Sequence, residues 1–208
     1  MDPDFKARLD ALAARGTAAD PAADDHGWML QRARERCERL IPAEYRTAEP
    51  THPDVIEWAR TFRAGADLRQ GLLLLGPVGV GKTWEAYGAL KNAVTAVRPI
   101  RWEAESAADL IDALRPRPGT DSSILFRRYA SAHLLLLDDL GIAKSSEWVE
   151  ELTFRLVDYR YRQGLATIAT SNLSPADLAA ILGERVVSRF AQRYTRVVLK
   201  GHDRRRSK

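Results

Sequence analysis

The 208-residue chain predicts an α/β fold in which a parallel sheet is covered by helices on both faces. Three observations carry this. From Gly71 onward, short apolar runs alternate with amphipathic stretches of helical period, the pattern of strands buried on both faces and their crossover helices. The run LLLL at 72 to 75 leads directly into GPVGVGKT at 76 to 83. A second run, LLLL at 134 to 137, ends in the carboxylates Asp138 and Asp139. Both motifs stand where a strand hands over to a loop, the edge at which open α/β sheets bind ligands.

The elements follow in order. Phe5, Leu9 and Leu12 predict a short amphipathic helix over 5–15, and GTAADPAADDHG at 16 to 27 reads as a linker. A helix over 28–41 shows a stripe of Trp28, Ala33, Cys37, Leu40 and Ile41, and Pro42 ends it. Tyr45, Pro50 and Pro53 mark an irregular approach to a helix over 55–64. The core then reads as strand 72–75, helix 82–97, strand 100–103, helix 107–114 and helix 124–130. Strand 133–137, helix 147–163, strand 165–170, helices 175–182 and 184–192, and strand 195–199 complete it. Trp148, Leu152, Leu156 and Tyr159 are the predicted buried side of the long helix. Residues 1–40 are thus expected to form a helical extension and linker, and residues 41–208 the core with a basic tail.

Composition excludes several classes. With 45% apolar residues the chain can bury a real core, and the lone Cys37 and four scattered His offer neither a disulfide nor zinc spacing. That cysteine usage suits a reducing, cytoplasmic setting. The longest apolar runs are about five residues where a membrane span needs about 20, so no membrane contact is expected. The net charge is only +4, yet the last 20 residues hold eight basic groups against one acidic, Asp203. This end reads as either a polyanion contact or a solvated tail.

GPVGVGKT fits G-x-x-x-x-G-K-[ST] in its strand, loop and helix context. Gly76, Pro77, Val78, Gly79, Val80 and Gly81 would wrap the backbone around phosphates with the N–H groups pointing inward. Lys82 is expected to reach the terminal phosphates, and Thr83 to ligate Mg²⁺ through its hydroxyl. Asp138 is the expected partner of the Mg²⁺ shell, and Asp139 the group that would orient an attacking water. The pair of motifs predicts nucleotide binding without choosing between an ATPase and a kinase. Thr170-Ser171-Asn172 closes the next strand, and Asn172 reads either as part of a turn entry or as a group between the two carboxylates and the terminal phosphate, able to hydrogen-bond the attacking water. Arg185 and Arg189 lie on the helix after Gly183, as either solvated arginines or charges for a neighbour's phosphates.

GPVGVGKT (76 to 83), LLLLDDLG (134 to 141), RYRQGLATIATSNLS (160 to 174) and LGERVVSRF (182 to 190) together resemble the AAA+ ATPases of the DnaC/IstB-like group, the replicative-helicase loaders and transposition helpers. The resemblance spans roughly residues 41 to 205. It implies a P-loop AAA+ three-layer sandwich with a mainly parallel five-stranded sheet, a short N-terminal helical extension and no full C-terminal lid domain. It also implies ATP and Mg²⁺ as cofactors, Asn172 as sensor, Arg189 as an arginine finger acting in trans, Arg185 as its support and Arg205 as a candidate second sensor. Ile41 and Tyr45 fall where the family threads its linker past the base. The family's Ser-Tyr before the last arginine is here Asp203-Arg204.

By that resemblance the expected function is ATP-dependent helicase loading, with a replicative helicase, single-stranded DNA and self-association through the ATP sites as partners. The alternative is a transposition helper that forms ATP-dependent filaments on duplex DNA and activates a transposase. A small-molecule kinase and a module using ATP as a structural ligand remain as competing classes. Trp102, Arg115, Arg117, Arg127, Arg128 and Tyr129 are candidates for single-strand contact, because arginines interleaved with aromatics suit backbone pairing and base stacking.

Overall fold

The computed structural model describes residues 21–65, 69–95, 100–119, 121–141, 146–201 and 203, with side chains from residue 27. The predicted helix over 5–15 lies outside the described residues. Helices α1 (Pro21–Leu40) and α2 (Pro53–Arg63) precede strand β1 (Gly71–Leu75) and helix α3 (Lys82–Val94). Strand β2 (Trp102–Ser106), helices α4 (Ala107–Leu114) and α5 (Ser123–Ser131), and strand β3 (Leu134–Asp138) follow. The chain continues through α6 (Glu147–Gln163), β4 (Ala166–Ser171), α7 (Pro175–Leu182), α8 (Glu184–Arg193) and β5 (Tyr194–Val198).

The five strands run in the order β2-β3-β4-β1-β5, every pair parallel. Side chains alternate across a strand, so Leu72, Leu74, Leu134, Leu136 and Ile168 feed one core beneath α2 and α3. Leu73, Leu75, Leu135, Leu137 and Ala169 feed the other, against α4 to α8. Each fully buried leucine contributes roughly 1.5–3 kcal/mol, which explains why such short strands hold their places. The two clusters on either side of one sheet make the three-layer sandwich implied by the motifs.

Local chemistry sets the helix ends. Ser106, Ser146 and Ser174 accept from the N–H groups of Asp109, Val149 and Asp177 at the starts of α4, α6 and α7. Gly164 closes α6 in the left-handed conformation.

Several expectations need correction. Helix α1 is described from Pro21, inside the segment read as a linker, where proline is pre-set for a first helical turn. Trp28 and Leu40 are exposed, leaving Cys37 as the α1 residue that enters the core. Burial pushes the Cys37 thiol up to about 11, so it is a packing residue and not a reactive one. On α6 the buried side is Val149, Leu152, Leu156 and Val157, whereas Trp148 is only partly buried and Tyr159 is 38% exposed. The flanking helices α5 and α8, and not the aromatic pattern, decide which side turns in.

Strand β2 starts at Trp102 and not at Ile100. Its register against β3, from Trp102 opposite Leu134 to Ser106 opposite Asp138, carries it through the acidic stretch EAE. Glu103 is tolerated on this edge strand because Arg128 bonds it at 2.6 Å, and Glu105 accepts from Tyr129 Oη at 3.0 Å. Those contacts also overturn the stacking role of two aromatics. Trp102 is 2% and Tyr129 5% exposed, so neither ring can receive a base.

Candidate nucleotide site

Strand β1 delivers the loop from Gly76 to Gly81, and Gly81 at φ +97° starts α3. The loop is laid tightly against the end of β5: a Cβ on Gly76 would stand 2.4 Å from the Leu199 carbonyl oxygen. Lys82 Nζ donates to the carbonyls of Gly76 and Pro77, both at 2.8 Å. The ammonium thus folds over the loop that would receive phosphates. Thr83 Oγ1 donates to the two oxygens of Asp138 at 3.2 and 3.1 Å, which joins the loop to the end of β3.

Asp138 is held from the other side as well. The Thr170 hydroxyl on β4 donates to its Oδ1 at 2.5 Å and accepts from the Asp139 N–H at 2.9 Å. Burial raises the Asp138 pKa, the Thr170 bond opposes that shift, and the neighbouring Asp139 charge adds to it. Asp139 adopts φ +56°, a left-handed conformation that costs a non-glycine residue on the order of 1–3 kcal/mol. Asn172 follows β4 directly and is exposed at the same carboxyl edge. Loop, both carboxylates and Asn172 therefore share one rim of the sheet.

Thr83 and Asp138 offer a hydroxyl and a carboxylate within hydrogen-bond distance of each other. This hard-oxygen set suits Mg²⁺, which takes few protein ligands and completes its shell from phosphates and water. No group of three His, Cys, Asp or Glu that could hold a metal by itself exists among the described residues.

Other positions are arranged differently. Tyr45 stacks on Tyr87 of α3, with ring centroids 4.8 Å apart and planes at 9°, one turn beyond Thr83. Ile41 is 1% exposed and packs in the core, so it offers no surface to a base. Arg189 and Arg185 do not join the loop in their own chain. Arg189 reaches Asp158 Oδ1 on α6 through Nε and a terminal nitrogen, both at 3.2 Å, and lies over the Tyr161 ring. Arg185 lies over Phe154 at 3.6 Å. Arg205 falls outside the described residues.

Three contributors escaped the sequence reading. Glu85, 1% exposed on α3, accepts from the N–H groups of Thr51 and His52 and from the Thr51 hydroxyl, pinning the segment before α2 to the phosphate helix. A carboxylate on an otherwise buried helix face was the available signal. Thr170 was legible only as part of TSN. Asp203 was noted as a departure from the family, and its carboxylate lies against the loop: a Cβ on Gly79 would stand 2.1 Å from its Oδ1.

The model of the IstB-like ATP-binding protein family matches residues 40–200, most of the chain. The chain belongs to the IstB-like ATP-binding family. Within the DnaC/IstB-like AAA+ ATPases, its fold superimposes on the crystal structure of the DnaC helicase loader with a TM-score of 0.67 and 31% identity. That match covers 76% of this chain and 100% of the other. A DnaA bound to AMPPCP and single-stranded DNA matches with a TM-score of 0.61 and 25% identity, covering 80% of this chain and 50% of that one. In sequence, the chromosomal replication initiator DnaA of Nostoc sp. is 29% identical over 133 residues, 58% of this chain. The chain spans about a quarter of the length of the curated relatives it matches. The IstB-like family is an ATP-binding one, and the match includes the loop at 76–83 and both carboxylates. No helix among the described residues is long and apolar enough to cross a membrane.

Proposed function

We propose that the chain is an ATP-driven loader of a replicative helicase that engages single-stranded DNA. The observation that carries this reading is the likeness to the DnaC helicase loader over the whole of that chain. The DnaA bound to single-stranded DNA supports the choice of nucleic acid. In this reading residues 41–208 are the ATPase core and residues 1–40 an appended extension. The match to the IstB-like family favours a second reading, a helper that assembles on duplex DNA and activates a transposase. Capture with Mg²⁺ and a non-hydrolysable ATP analogue tests the choice: recovery of a helicase supports the first reading, and recovery of a transposase replaces it.

The residues divide the work as follows. Lys82 leaves the Gly76 and Pro77 carbonyls and pairs with the terminal phosphates, while the loop N–H groups bind the inner ones. Thr83 and Asp138 would hold Mg²⁺, which would supply neutralisation of phosphate charge. Asp139 takes up and orients the attacking water, with Asn172 as its second hydrogen-bond partner. Arg189, supported by Arg185, serves the site of an adjoining copy, because in its own chain it faces α6 and not the loop. Arg115, Arg117, Arg127 and Arg128 remain candidates for the DNA backbone; the aromatics beside them do not.

Two results are expected from binding measurements. Lys82→Ala should weaken ATP binding about 10- to 100-fold, the worth of a charge-assisted phosphate contact. Unaltered affinity in a fluorescent-nucleotide titration would mean that the loop is not the phosphate site. Asp203→Asn should tighten ATP binding by about fivefold at low salt, since it removes a carboxylate that lies on the loop and repels phosphate. The gain should shrink as salt rises, and an unchanged affinity at low salt would show that Asp203 leaves the loop when nucleotide binds.

A further inference from the structure

Thr170 has no part in the division of work above, which gives the end of β4 to Asn172. Its side chain is nonetheless fully buried, and its single hydroxyl touches both acidic residues of the site. It donates to Asp138 Oδ1 at 2.5 Å and accepts from the Asp139 N–H at 2.9 Å. The Thr170 carbonyl accepts from the Leu140 N–H at 2.8 Å. One residue thus grips the carboxylate of Asp138, the backbone of Asp139 and the backbone after it.

The position follows from the sheet. Strand β4 lies between β3 and β1, and Thr170 stands opposite Leu74, one residue before the end of the strand that leads into the phosphate loop. A side chain here reaches the end of β3 without crossing solvent. Asp139 is left-handed at φ +56°, a conformation aspartate reaches more readily than most residues and keeps more firmly where its surroundings hold it. The Thr170 hydroxyl is one such hold. Asp138 accepts two hydroxyls, and they differ in kind: Thr83 belongs to the loop that must rearrange around phosphates, whereas Thr170 belongs to the packed sheet.

We propose that Thr170 is the positioning residue of the carboxylate pair, aiming Asp138 at the metal site through its O–H and fixing the turn of Asp139 through its lone pair. The inference rests on the nucleotide-site reading given above. When Thr83 turns to a cation, Asp138 keeps the Thr170 bond and does not swing free. When Asp139 receives a water, its backbone stays in the left-handed turn that presents the carboxylate. A valine has the same outline but offers neither the donor nor the acceptor.

The test uses the full chain as Thr170→Val, Thr170→Ser and Thr170→Ala, each checked by thermal melting. ATP affinity is measured with and without Mg²⁺, and kcat and KM separately. In Thr170→Val the metal-free affinity should match the parent, while the gain in affinity on adding Mg²⁺ and kcat should each fall about 10- to 100-fold, the usual cost of removing a group that orients a metal ligand. Thr170→Ser, which keeps the hydroxyl, should restore both. If Thr170→Val does not fold, the same contrast is read between Thr170→Ala and Thr170→Ser. A valine variant with parental metal response and turnover, or a serine variant no better than valine, overturns the inference. Lys82→Ala in the same assay separates the two layers of argument. Lost binding there with a silent Thr170→Val removes Thr170 alone, and normal binding removes the site reading as well.

Discussion

Arg189→Ala is expected to lower ATP turnover about a thousandfold or more while leaving ATP affinity unchanged, the size of effect seen when an arginine finger is withdrawn from a phosphoryl-transfer site. The expectation rests on where the guanidinium points. It is bonded to Asp158 on α6, stacked over Tyr161 and 31% exposed, all on the flank formed by α6 and α8. In the proposed reading it serves the phosphates of an adjoining copy from this flank. Asp158 keeps a second partner, Arg162 at 2.8 Å, so the substitution leaves no uncompensated buried charge in the monomer. A mixing experiment provides the decisive measurement. Arg189→Ala retains a sound site and lacks the finger, and Lys82→Ala retains the finger and lacks a sound site. Turnover should reappear when the two inactive variants are combined. Full activity in Arg189→Ala alone, or silence in the mixture, would rule out action in trans.

Arg160→Met is expected to destabilise the fold by about 3–5 kcal/mol, the range for breaking a buried charged hydrogen-bond network. This guanidinium is 1% exposed. Its Nε donates to Thr167 Oγ1 at 2.8 Å, and one terminal nitrogen donates to the carbonyls of Tyr129, Ala130 and Ala132 at 2.9, 3.2 and 2.8 Å. The other terminal nitrogen donates to the Ala166 carbonyl. The carbonyls at 129 and 130 belong to the last turn of α5, which has no intrahelical partners for them. A positive charge at that end also meets the negative pole of the helix. Burial pulls the Arg160 pKa down to about 10, which still leaves it charged at neutral pH. Methionine fills much of the volume and satisfies none of the five acceptors. At this chain length each kcal/mol shifts the melting temperature by about 2–4 °C, so differential scanning calorimetry and denaturant titration should both register the loss. A parental melting temperature would mean that water replaces the guanidinium without cost.

The site was legible to the extent that its chemistry is local. GPVGVGKT and the two carboxylates after LLLL are contiguous segments, and the backbone geometry they require is written in Gly79, Gly81 and the strand that precedes each. Helices α4, α6 and α7 were legible to the residue because Ser106, Ser146 and Ser174 cap them from within. Strand β2 was displaced because its extent is set by pairing with β3, and its acidic residues are held by an arginine ion pair and a tyrosine hydrogen bond from α5. The stacking role given to Trp102 and Tyr129 failed for a related reason: an aromatic beside arginines looks alike whether it faces solvent or the core.

The amino-acid sequence by itself determined the α/β class, the phosphate loop, the carboxylate pair and membership of the DnaC/IstB-like group, since each depends on residues within a few positions of one another. Only the tertiary structure decided what those groups are held by. Thr170 grips Asp138 across 32 positions, Glu85 pins Thr51 across 34, and Asp158 holds Arg189 across 31. Asp203 reaches Gly79 from the far end of the chain. Such contacts arise from the order of strands in the sheet and the stacking of helices on its two faces. No local spacing encodes them, because the energy that creates them is the burial of leucines far from the polar groups that are thereby brought together.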